Sequence, residues 1–297
     1  INGGANHVRF KGLVIRNLKQ SKATDQVQGW YAGGTNVILE NCTVYNIWGH
    51  GFEITGGYDF HLINCDAYNI IDSIWASPGN RGTGFYCENV VSRTTTVYFK
   101  KCRSWNCSDQ GFAFHDIGYV EVDSCWSWGH GHLEGGGGTG FKIGFVPAGT
   151  DTLSLQRVVK NSIAVYNKSS GISFNDNGMP VQSVQLYNNT CYHNGYYPDY
   201  GGGWGFMLFN TSGDESFELL RILKNNIAFN NAYAEIFVYG SYTHETNSWD
   251  TPPDISLQSS DFVSLDSTGI TAARQSDGSL PDNDCYNYFL RLSDKSQ

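Results

Sequence analysis

A short motif that recurs along the chain constrains its fold more than any other feature of the sequence. Each copy alternates small or apolar residues with variable ones and closes with Asn or Gly. Successive copies start 29, 23, 37, 23, 38, 27 and 37 residues apart. Such spacing is typical of a solenoid with variable insertions, in which stacked turns share one interior. The copies are LVIRN (13–17), CTVYN (42–46), CDAYN (65–69), CRSWN (102–106), CWSWG (125–129), IAVYN (163–167), TCYHN (190–194) and IAFNN (227–231).

Two further sets of strand-like runs accompany the motif. One set begins with Gly and usually an aromatic residue: GFEI (51–54), GFYC (84–87), GFAF (111–114), GFKI (140–143), GISF (171–174) and GWGFML (203–208). The other precedes the motif: NVILEN (36–41), FHLIN (60–64), TVYFKK (96–101), YVEVDS (119–124) and VQLYNN (184–189). Three short strands per turn predict an all-β fold, a single-stranded right-handed parallel β-helix with coils about 4.8 Å apart. We expect one domain over residues 1–297, with coils at about 5–240 and a loop-rich tail at about 241–297 that packs on the helix.

Four of the eight cysteines begin copies of the motif: Cys42, Cys65, Cys102 and Cys125. The same position in four successive coils predicts an inward column of small apolar side chains, because free cysteine is among the most buried residue types. We expect Ile163 and Ile227 to continue this column. A disulfide framework is the alternative interpretation.

Asparagine precedes several copies of the motif, at Asn41, Asn64, Asn189 and Asn226. Asparagine tolerates a left-handed backbone, and its amide can form hydrogen bonds along a stack of turns. The sequence therefore predicts structural asparagine ladders at these corners.

Composition excludes several classes of partner. The net charge of −9 argues against nucleic acid and against an anionic membrane, since both require a basic face. No window approaches the 18 or so consecutive apolar residues that a membrane span needs. A local cluster of Lys and Arg could still bind an acidic polysaccharide. The chain begins in a strand-like run without a signal peptide, so we expect a mature or trimmed fragment.

The alternation of the Gly-aromatic strands places one residue of each strand on the outer face. The insertions 70–83, 129–139 and 195–204 all lie between the motif and these strands, so they rise on the same side. Aromatic side chains beside a polar groove are suited to stacking on sugar rings, although they can also pack on their own loops. The outward column is Glu53, Tyr86, Ala113, Lys142, Ser173 and Met207, and the insertions carry Trp75, His130, His132, Tyr196, Tyr197 and Trp204.

Lys142 allows two interpretations. An outward lysine on a strand is commonly a solvated side chain. On a rigid sheet beside bulky aromatics it could instead act as a general base.

Several segments resemble polysaccharide lyase family 9, whose right-handed β-helix enzymes cleave pectate or related uronic-acid polymers. The resemblance extends from about residue 5 to 292 and includes DFVSLDSTGI in the tail. In order, its main segments are CDAYNIIDS (65–73), GTGFYCE (82–88), KKCRSWNCSDQGF (100–112), GGGGTGFKIG (135–144), AVYNKSSGISFNDN (164–177) and LYNNTCYHN (186–194).

The resemblance implies that Lys142 is the Brønsted base that removes the C5 proton of a uronate. It also implies a calcium ion held by aspartates of neighbouring coils. Here the aspartates of the family pattern are replaced by Thr83, Gln110, Ala113 and Ser173, and Asp109 alone remains. Because calcium prefers six to eight oxygen ligands, several of them carboxylates, we expect a weak, degenerate calcium site at Asp109.

Four functions remain open from the sequence. The chain could be a lyase that neutralises the uronate carboxylate with Arg103, His115 or Gln110, or a lyase for another uronic-acid polymer. It could be a non-catalytic carbohydrate-binding or adhesive β-helix. An inverting hydrolase would need two carboxyls, for which Asp109 with Asp116 or Glu134 is the local supply.

Among these, we favour an acidic-polysaccharide lyase acting by β-elimination. Its base is Lys142, and its substrate-binding residues are Arg103, Asp109, Gln110, His115, Glu53, Tyr86 and Ser173. We expect a monomer that is secreted or attached to the surface of a bacterial cell.

Overall fold

Short β-strands account for nearly all the regular structure of the protein. The computed structural model describes residues 2–3, 6–88, 95–115, 118–144, 156–174, 183–196, 203–208, 220–238, 240–250 and 256–294. A 3₁₀ turn (Ser259–Asp261) and one helix, α1 (Asp284–Tyr288), lie in the tail. The strands are β1 (Asn2–Gly3), β2 (Val8–Lys11), β3 (Val14–Leu18), β4 (Gln28–Ala32), β5 (Thr35–Glu40), β6 (Thr43–Ile47), β7 (His50–Ile54), β8 (Tyr58–Ile63), β9 (Asp66–Ile70), β10 (Phe85–Glu88), β11 (Thr96–Lys100), β12 (Arg103–Trp105), β13 (Phe112–His115), β14 (Tyr119–Asp123), β15 (Trp126–Trp128), β16 (Phe141–Lys142), β17 (Arg157–Lys160), β18 (Ile163–Val165), β19 (Ile172–Ser173), β20 (Ser183–Tyr187), β21 (Thr190–Tyr192), β22 (Trp204–Leu208), β23 (Leu220–Lys224), β24 (Ile227–Phe229), β25 (Ala234–Val238) and β26 (Thr243–Glu245).

Every third strand joins the same sheet, so the chain winds as a parallel β-helix. Sheet A contains β1, β4, β7, β10, β13, β16, β19, β22 and β25. Sheet B contains β2, β5, β8, β11, β14, β17, β20, β23 and β26, and sheet C contains β3, β6, β9, β12, β15, β18, β21 and β24. All neighbouring strands within a sheet are parallel. The three sets of runs in the sequence correspond to these three sheets, which confirms the predicted architecture.

The interior is filled by columns of like side chains from successive coils. In sheet A, Phe52, Phe85, Phe112 and Phe141 are aligned by the strand register and are at most 1% exposed. Their ring centroids are 4.9, 4.6 and 4.8 Å apart. Ile143, two residues beyond Phe141, is also fully buried. Alternation along β16 therefore turns Lys142 to the opposite face.

All eight cysteines are free and buried, so the disulfide interpretation is wrong. Cys42, Cys65, Cys102 and Cys125 form the predicted column, and the thiol of Cys65 donates to the carbonyl of Leu39 (3.4 Å).

The prediction that Ile163 and Ile227 continue the cysteine column is also wrong. Ser162 follows Cys125 in the column and accepts its backbone N–H, and Asn189, Asn226 and Asn247 extend it. The register pairs Ile163 with Trp126 instead, on the outer face of sheet C.

Asparagines form two kinds of ladder. At the outer corners, Asn41 and Asn64 adopt positive φ angles of 53° and 54°, and the Asn64 amide donates to Asn41 Oδ1 (3.2 Å). Inside the helix, Asn226 Oδ1 accepts from the backbone and side-chain amides of Asn189, both at 3.0 Å. The expected ladders are thus present, although Asn189 and Asn226 lie in the interior rather than at the left-handed corners.

We expect Asn226→Ala to destabilise the protein by about 2–3 kcal/mol. The Asn226 amide also donates to the Leu186 carbonyl and to Asn247 (both 2.9 Å), so truncation leaves several buried polar groups unpaired. Urea unfolding measures this loss. Lys224→Ala serves as the control. Lys224 lies two positions before Asn226, and its truncation removes only an exposed ion pair with Glu245, so stability should change by less than about 1 kcal/mol. Equal effects of the two variants would contradict the ladder's role.

The tail covers the outer face of sheet C. Phe262, Cys285, Phe289 and Leu290 form a second apolar cluster with side chains of that sheet, and Trp126 stacks on Tyr286 at 4.5 Å. In the described part of the chain, no helix is long and apolar enough to cross a membrane.

Candidate functional site

A polar cleft of about 420 Å³ opens on the outer face of sheet A. The strand register aligns Glu53, Tyr86, Ala113, Lys142, Ser173 and Met207 in one column, as the alternation predicts. Six of the residues predicted to act in catalysis or binding line this cleft together: Glu53, Tyr86, Asp109, Gln110, His115 and Lys142.

The glycine-rich segment 135–139 forms one wall of the cleft, immediately before Lys142. Gly138 has a left-handed φ of 67°, and a Cβ at Gly136 would lie 1.7 Å from the Ser108 carbonyl oxygen. Only glycine permits both the backbone conformation and the close approach. The buried Lys168 fixes the segment further by donating to the Gly136 carbonyl (3.0 Å).

Asp109 and Gln110 hold this wall in place. The backbone N–H of Gly137 donates to Asp109 Oδ1 (2.8 Å), and that of Thr139 donates to Gln110 Oε1 (2.7 Å). Asp109 also accepts from the Gln110 amide (2.8 Å) and the Thr83 hydroxyl (3.3 Å). Burial raises the pKa of Asp109 to about 6, although the Gly137 N–H and the nearby charge of Lys142 oppose the shift.

The surroundings of Asp109 do not fit a calcium ion. Its carboxylate oxygens face the N–H groups of Gly137 and Gln110 and the Thr83 hydroxyl, which are hydrogen-bond donors rather than ligands for a cation. Among the described residues there is no group of three or more His, Cys, Asp or Glu side chains that could hold a metal. Calcium requires more oxygen ligands than this arrangement offers.

An aromatic group forms the opposite wall. His50 stacks on Tyr86 with centroids 4.4 Å apart, and the Tyr86 hydroxyl donates to Glu88 (2.9 Å) and lies 3.3 Å from His115 Nδ1. Burial lowers the pKa of His50 and of His115 to about 3. Both imidazoles are therefore neutral near neutral pH and can form hydrogen bonds without adding charge.

Glu53 lies at the end of the cleft farthest along the column from Lys142. Its side chain is buried, and burial raises its pKa to about 7 despite the hydrogen bond with Gln28. A substantial fraction of this carboxyl is consequently protonated at neutral pH.

The raised pKa of Glu53 predicts how stability depends on pH. Folding favours its protonated form, so its contribution is complete below the ordinary value of 4.5 and is lost as pH rises through about 7. Wild type should therefore lose up to ~3 kcal/mol relative to Glu53→Gln across this window, as urea unfolding at several pH values can measure. Glu245→Gln is the control. Because Lys224 lowers the pKa of Glu245, wild type should gain stability relative to this variant as pH rises. Parallel curves for wild type and Glu53→Gln would contradict the assignment.

Arg103 lies apart from the cleft. It projects from sheet C beneath the tail, where its guanidinium pairs with Asp66 (2.9 and 2.6 Å) and donates to Tyr286 and the Ala272 carbonyl. The predicted role of Arg103 in binding substrate beside Lys142 does not fit this placement, because a different sheet carries it.

Ser173 continues the column next to Lys142, but it does not line the cleft. It is 2% exposed, and its hydroxyl donates to the Phe174 carbonyl (3.1 Å). Its predicted contact with substrate stays a prediction.

Of the carboxyls considered for an inverting hydrolase, Asp109 lines the cleft. Glu134 is exposed and is not among the residues that line it, and Asp116 lies outside the described residues.

The aromatic side chains of the insertions have diverse surroundings. His130 is buried and bonds to the Ser127 hydroxyl, and Tyr196 stacks on His193, so both pack locally. Trp75 lies beside the cleft beneath an arginine. Tyr197 lies outside the described residues.

Sequence reasoning missed five polar residues of the cleft: Gln26, His50, Asn80, Arg81 and Glu88. Arg81 was detectable in principle, because it is the arginine of the insertion 70–83, which was expected to rise beside the column. His50 is the first residue of β7 and Glu88 is the last residue of β10. At strand ends, alternation does not predict whether a side chain faces the cleft.

The fold and cleft define a parallel β-helix protein with a lysine-containing groove along one sheet. Residues 1–203 match the family model described as "Pel9A-like, right handed beta helix region". The chain therefore belongs to the Pel9A-like right-handed β-helix family, which confirms the predicted handedness and the resemblance to pectate lyase-like proteins.

Individual relatives agree with this assignment. Pectate lyase L of Dickeya chrysanthemi is 31% identical over 297 residues, covering 97% of this chain and 60% of that protein. The crystal structure of pectate lyase Pel9A has a TM-score of 0.70 at 26% identity, covering 97% of this chain and 64% of that one. A solved rhamnogalacturonan lyase shares the fold, with a TM-score of 0.76 at 23% identity over 99% of this chain and 72% of its own. The chain thus spans about 60% of the length of the Dickeya relative.

Proposed function

We propose that this protein cleaves an acidic, uronic-acid-containing polysaccharide by β-elimination, with Lys142 as the base. The observation that carries the proposal is the position of Lys142 on the rigid face of sheet A, within a polar cleft beside Asp109 and His115. Membership of a family that includes pectate lyases supports the same reaction class.

The proposed reaction needs one proton transfer and one bond cleavage. The unprotonated Nζ of Lys142 removes the proton from C5 of the uronate, electrons form a C4–C5 double bond, and the C4–O bond breaks. The departing oxygen takes a proton from water. Because a rigid strand holds Lys142, less entropy is lost when its amine is brought to C5 of the bound sugar.

Other residues of the cleft position Lys142 and the polymer. Asp109 and Gln110 hold the glycine-rich wall through Gly137 and Thr139, so they shape the cleft through the segment that leads into Lys142. Tyr86, neutral His115 and Glu53 present polar atoms for sugar hydroxyls. In this proposal, Asp109 and Gln110 position the wall of the cleft, and the other predicted binding residues that line it contact the sugar.

A non-catalytic carbohydrate-binding β-helix is the second candidate, and the poor fit of Asp109 to calcium favours it. A panel of pectate, rhamnogalacturonan, alginate and glucuronan separates the two functions. The lyase produces an unsaturated sugar that absorbs ultraviolet light on at least one polymer. Retention of a polymer without any unsaturated product would support the binding function and reject the enzymatic one.

A further inference from the structure

Arg81 presents an organised cation to the cleft. Its guanidinium carbon lies 3.8 Å from the centroid of the Trp75 ring, and the side chain is half-buried. Stacking on a tryptophan holds the planar guanidinium in one orientation, which reduces the entropy lost when it binds a ligand. Among the described residues that line this cleft, Arg81 is the arginine and Lys142 is the lysine.

Arg81 forms no ion pair among the described residues. No described carboxylate lies within the 4.0 Å of its guanidinium that defines an ion pair. The guanidinium stacks on Trp75, and its charge opposes the rise that burial causes in the pKa of Glu53 and of Asp72. Glu88, a nearby acid, accepts the Tyr86 hydroxyl instead (2.9 Å). A guanidinium fork with free donors matches a carboxylate, which it can bind through two parallel hydrogen bonds.

Two buried polar atoms in the same cleft also lack a partner among the described residues. They are Nδ1 of His50 and Oε2 of Glu53, whose residue is only 7% exposed. Stacking on Tyr86 fixes the His50 ring. Buried polar atoms without a hydrogen bond are costly, so their presence in a cleft indicates a ligand or water that bonds to them.

We propose that Arg81, His50 and Glu53 form a uronate-binding subsite in which Arg81 holds the sugar carboxylate and the other two bind its hydroxyls. The inference rests on the proposed function of the same cleft and assigns the residues that bind the carboxylate and hydroxyls of its substrate. In the sheet register, Glu53, Tyr86, Ala113 and Lys142 belong to successive coils, so the subsite lies on the N-terminal side of Lys142. Arg81 thereby neutralises polymer charge without a metal ion.

The test compares wild type, Arg81→Gln and Arg81→Lys on polygalacturonate and on the same polymer after methyl esterification, with and without a chelator. Esterification removes the carboxylate charge while the sugar backbone stays the same. Arg81→Gln should raise KM for polygalacturonate by about tenfold to a hundredfold, the value of hydrogen bonds to a charged group. It should also abolish the preference for the unesterified polymer, and Arg81→Lys should restore part of both.

Arg9→Gln is the matched control, because it removes an exposed arginine from the helix surface outside the cleft. It should leave KM unchanged, and the chelator should not affect wild type. Thermal unfolding verifies that each variant is folded. Unchanged KM and unchanged charge preference in a folded Arg81→Gln variant would overturn the subsite.

The failure of the subsite and the failure of the lyase function can be told apart. If wild type forms no unsaturated product, the elimination is rejected, and retention of polygalacturonate in affinity electrophoresis then tests the subsite directly. Retention by wild type that is lost in Arg81→Gln supports the subsite in a binding protein. Equal retention by both, or retention by neither, rejects it.

Discussion

Lys142→Ala is expected to reduce the rate of elimination by about 10²–10⁴-fold, the usual contribution of a positioned general base. Because the side chain lies on the outer face of β16, opposite the buried Phe141 and Ile143, its truncation should leave the core intact. The loss should therefore occur in kcat, measured from the ultraviolet absorbance of the product. Retention of the polymer by Lys142→Ala should stay close to that of wild type.

Two companion variants separate proton abstraction from simple charge attraction. Lys142→Arg keeps the positive charge but cannot act as a base at accessible pH, so it should be as inactive as the alanine variant. Lys100→Ala removes an exposed lysine from β11 in sheet B and should be fully active. Substantial activity in Lys142→Arg would show that the residue acts through its charge, and substantial activity in Lys142→Ala would remove it from the reaction.

The repeat and the alternation of its strands predicted the fold and the column containing Lys142. Both signals are local, because each strand has two faces and the inner one is apolar in every coil. Once Phe141 and Ile143 are assigned to the core, Lys142 has one possible face. The register then brings Tyr86 and Glu53 into the same line.

The surroundings of sheet C could not be derived from the repeat. Strand alternation places Arg103 on the outer face, but it does not indicate that residues 256–294 cover that face. Arg103 was predicted to bind substrate, and no signal in the repeat shows that the tail covers it. The segment that buries it is distant in sequence, and its pairing depends on Asp66 and Arg274 together.

The composition of the cleft was only partly predictable for a related reason. Arg81, His50 and Glu88 come from an insertion and from strand ends, whose paths the repeat does not define. The raised pKa of Glu53 and the lowered pKa of His50 result chiefly from burial. Sequence patterns show which residue types are present but not the depth at which insertions bury them.

Asp66→Ala is expected to destabilise the protein by about 3–5 kcal/mol, the usual cost of breaking a buried ion pair by removing one partner. Asp66 is 5% exposed and accepts from Arg103 (2.9 and 2.6 Å) and from Arg274 Nε (2.9 Å). Without the carboxylate, the side chain of Arg103, which is 1% exposed, keeps a buried charge with only neutral partners. Arg274 loses one of the contacts that join the tail to sheet C.

Two measurements distinguish this structural role from a role in substrate binding. Urea unfolding gives the loss of stability, and limited proteolysis reports whether residues 256–294 detach, since Tyr286 in that segment stacks on Trp126. Glu40→Ala, which removes the partner of the exposed Arg9 and Lys11, is the control and should cost less than about 1 kcal/mol. Below the unfolding transition, KM for polymer should be unchanged in Asp66→Ala, because the pair lies outside the cleft. A selective rise in KM in a stably folded variant would instead return Arg103 to the substrate-binding residues.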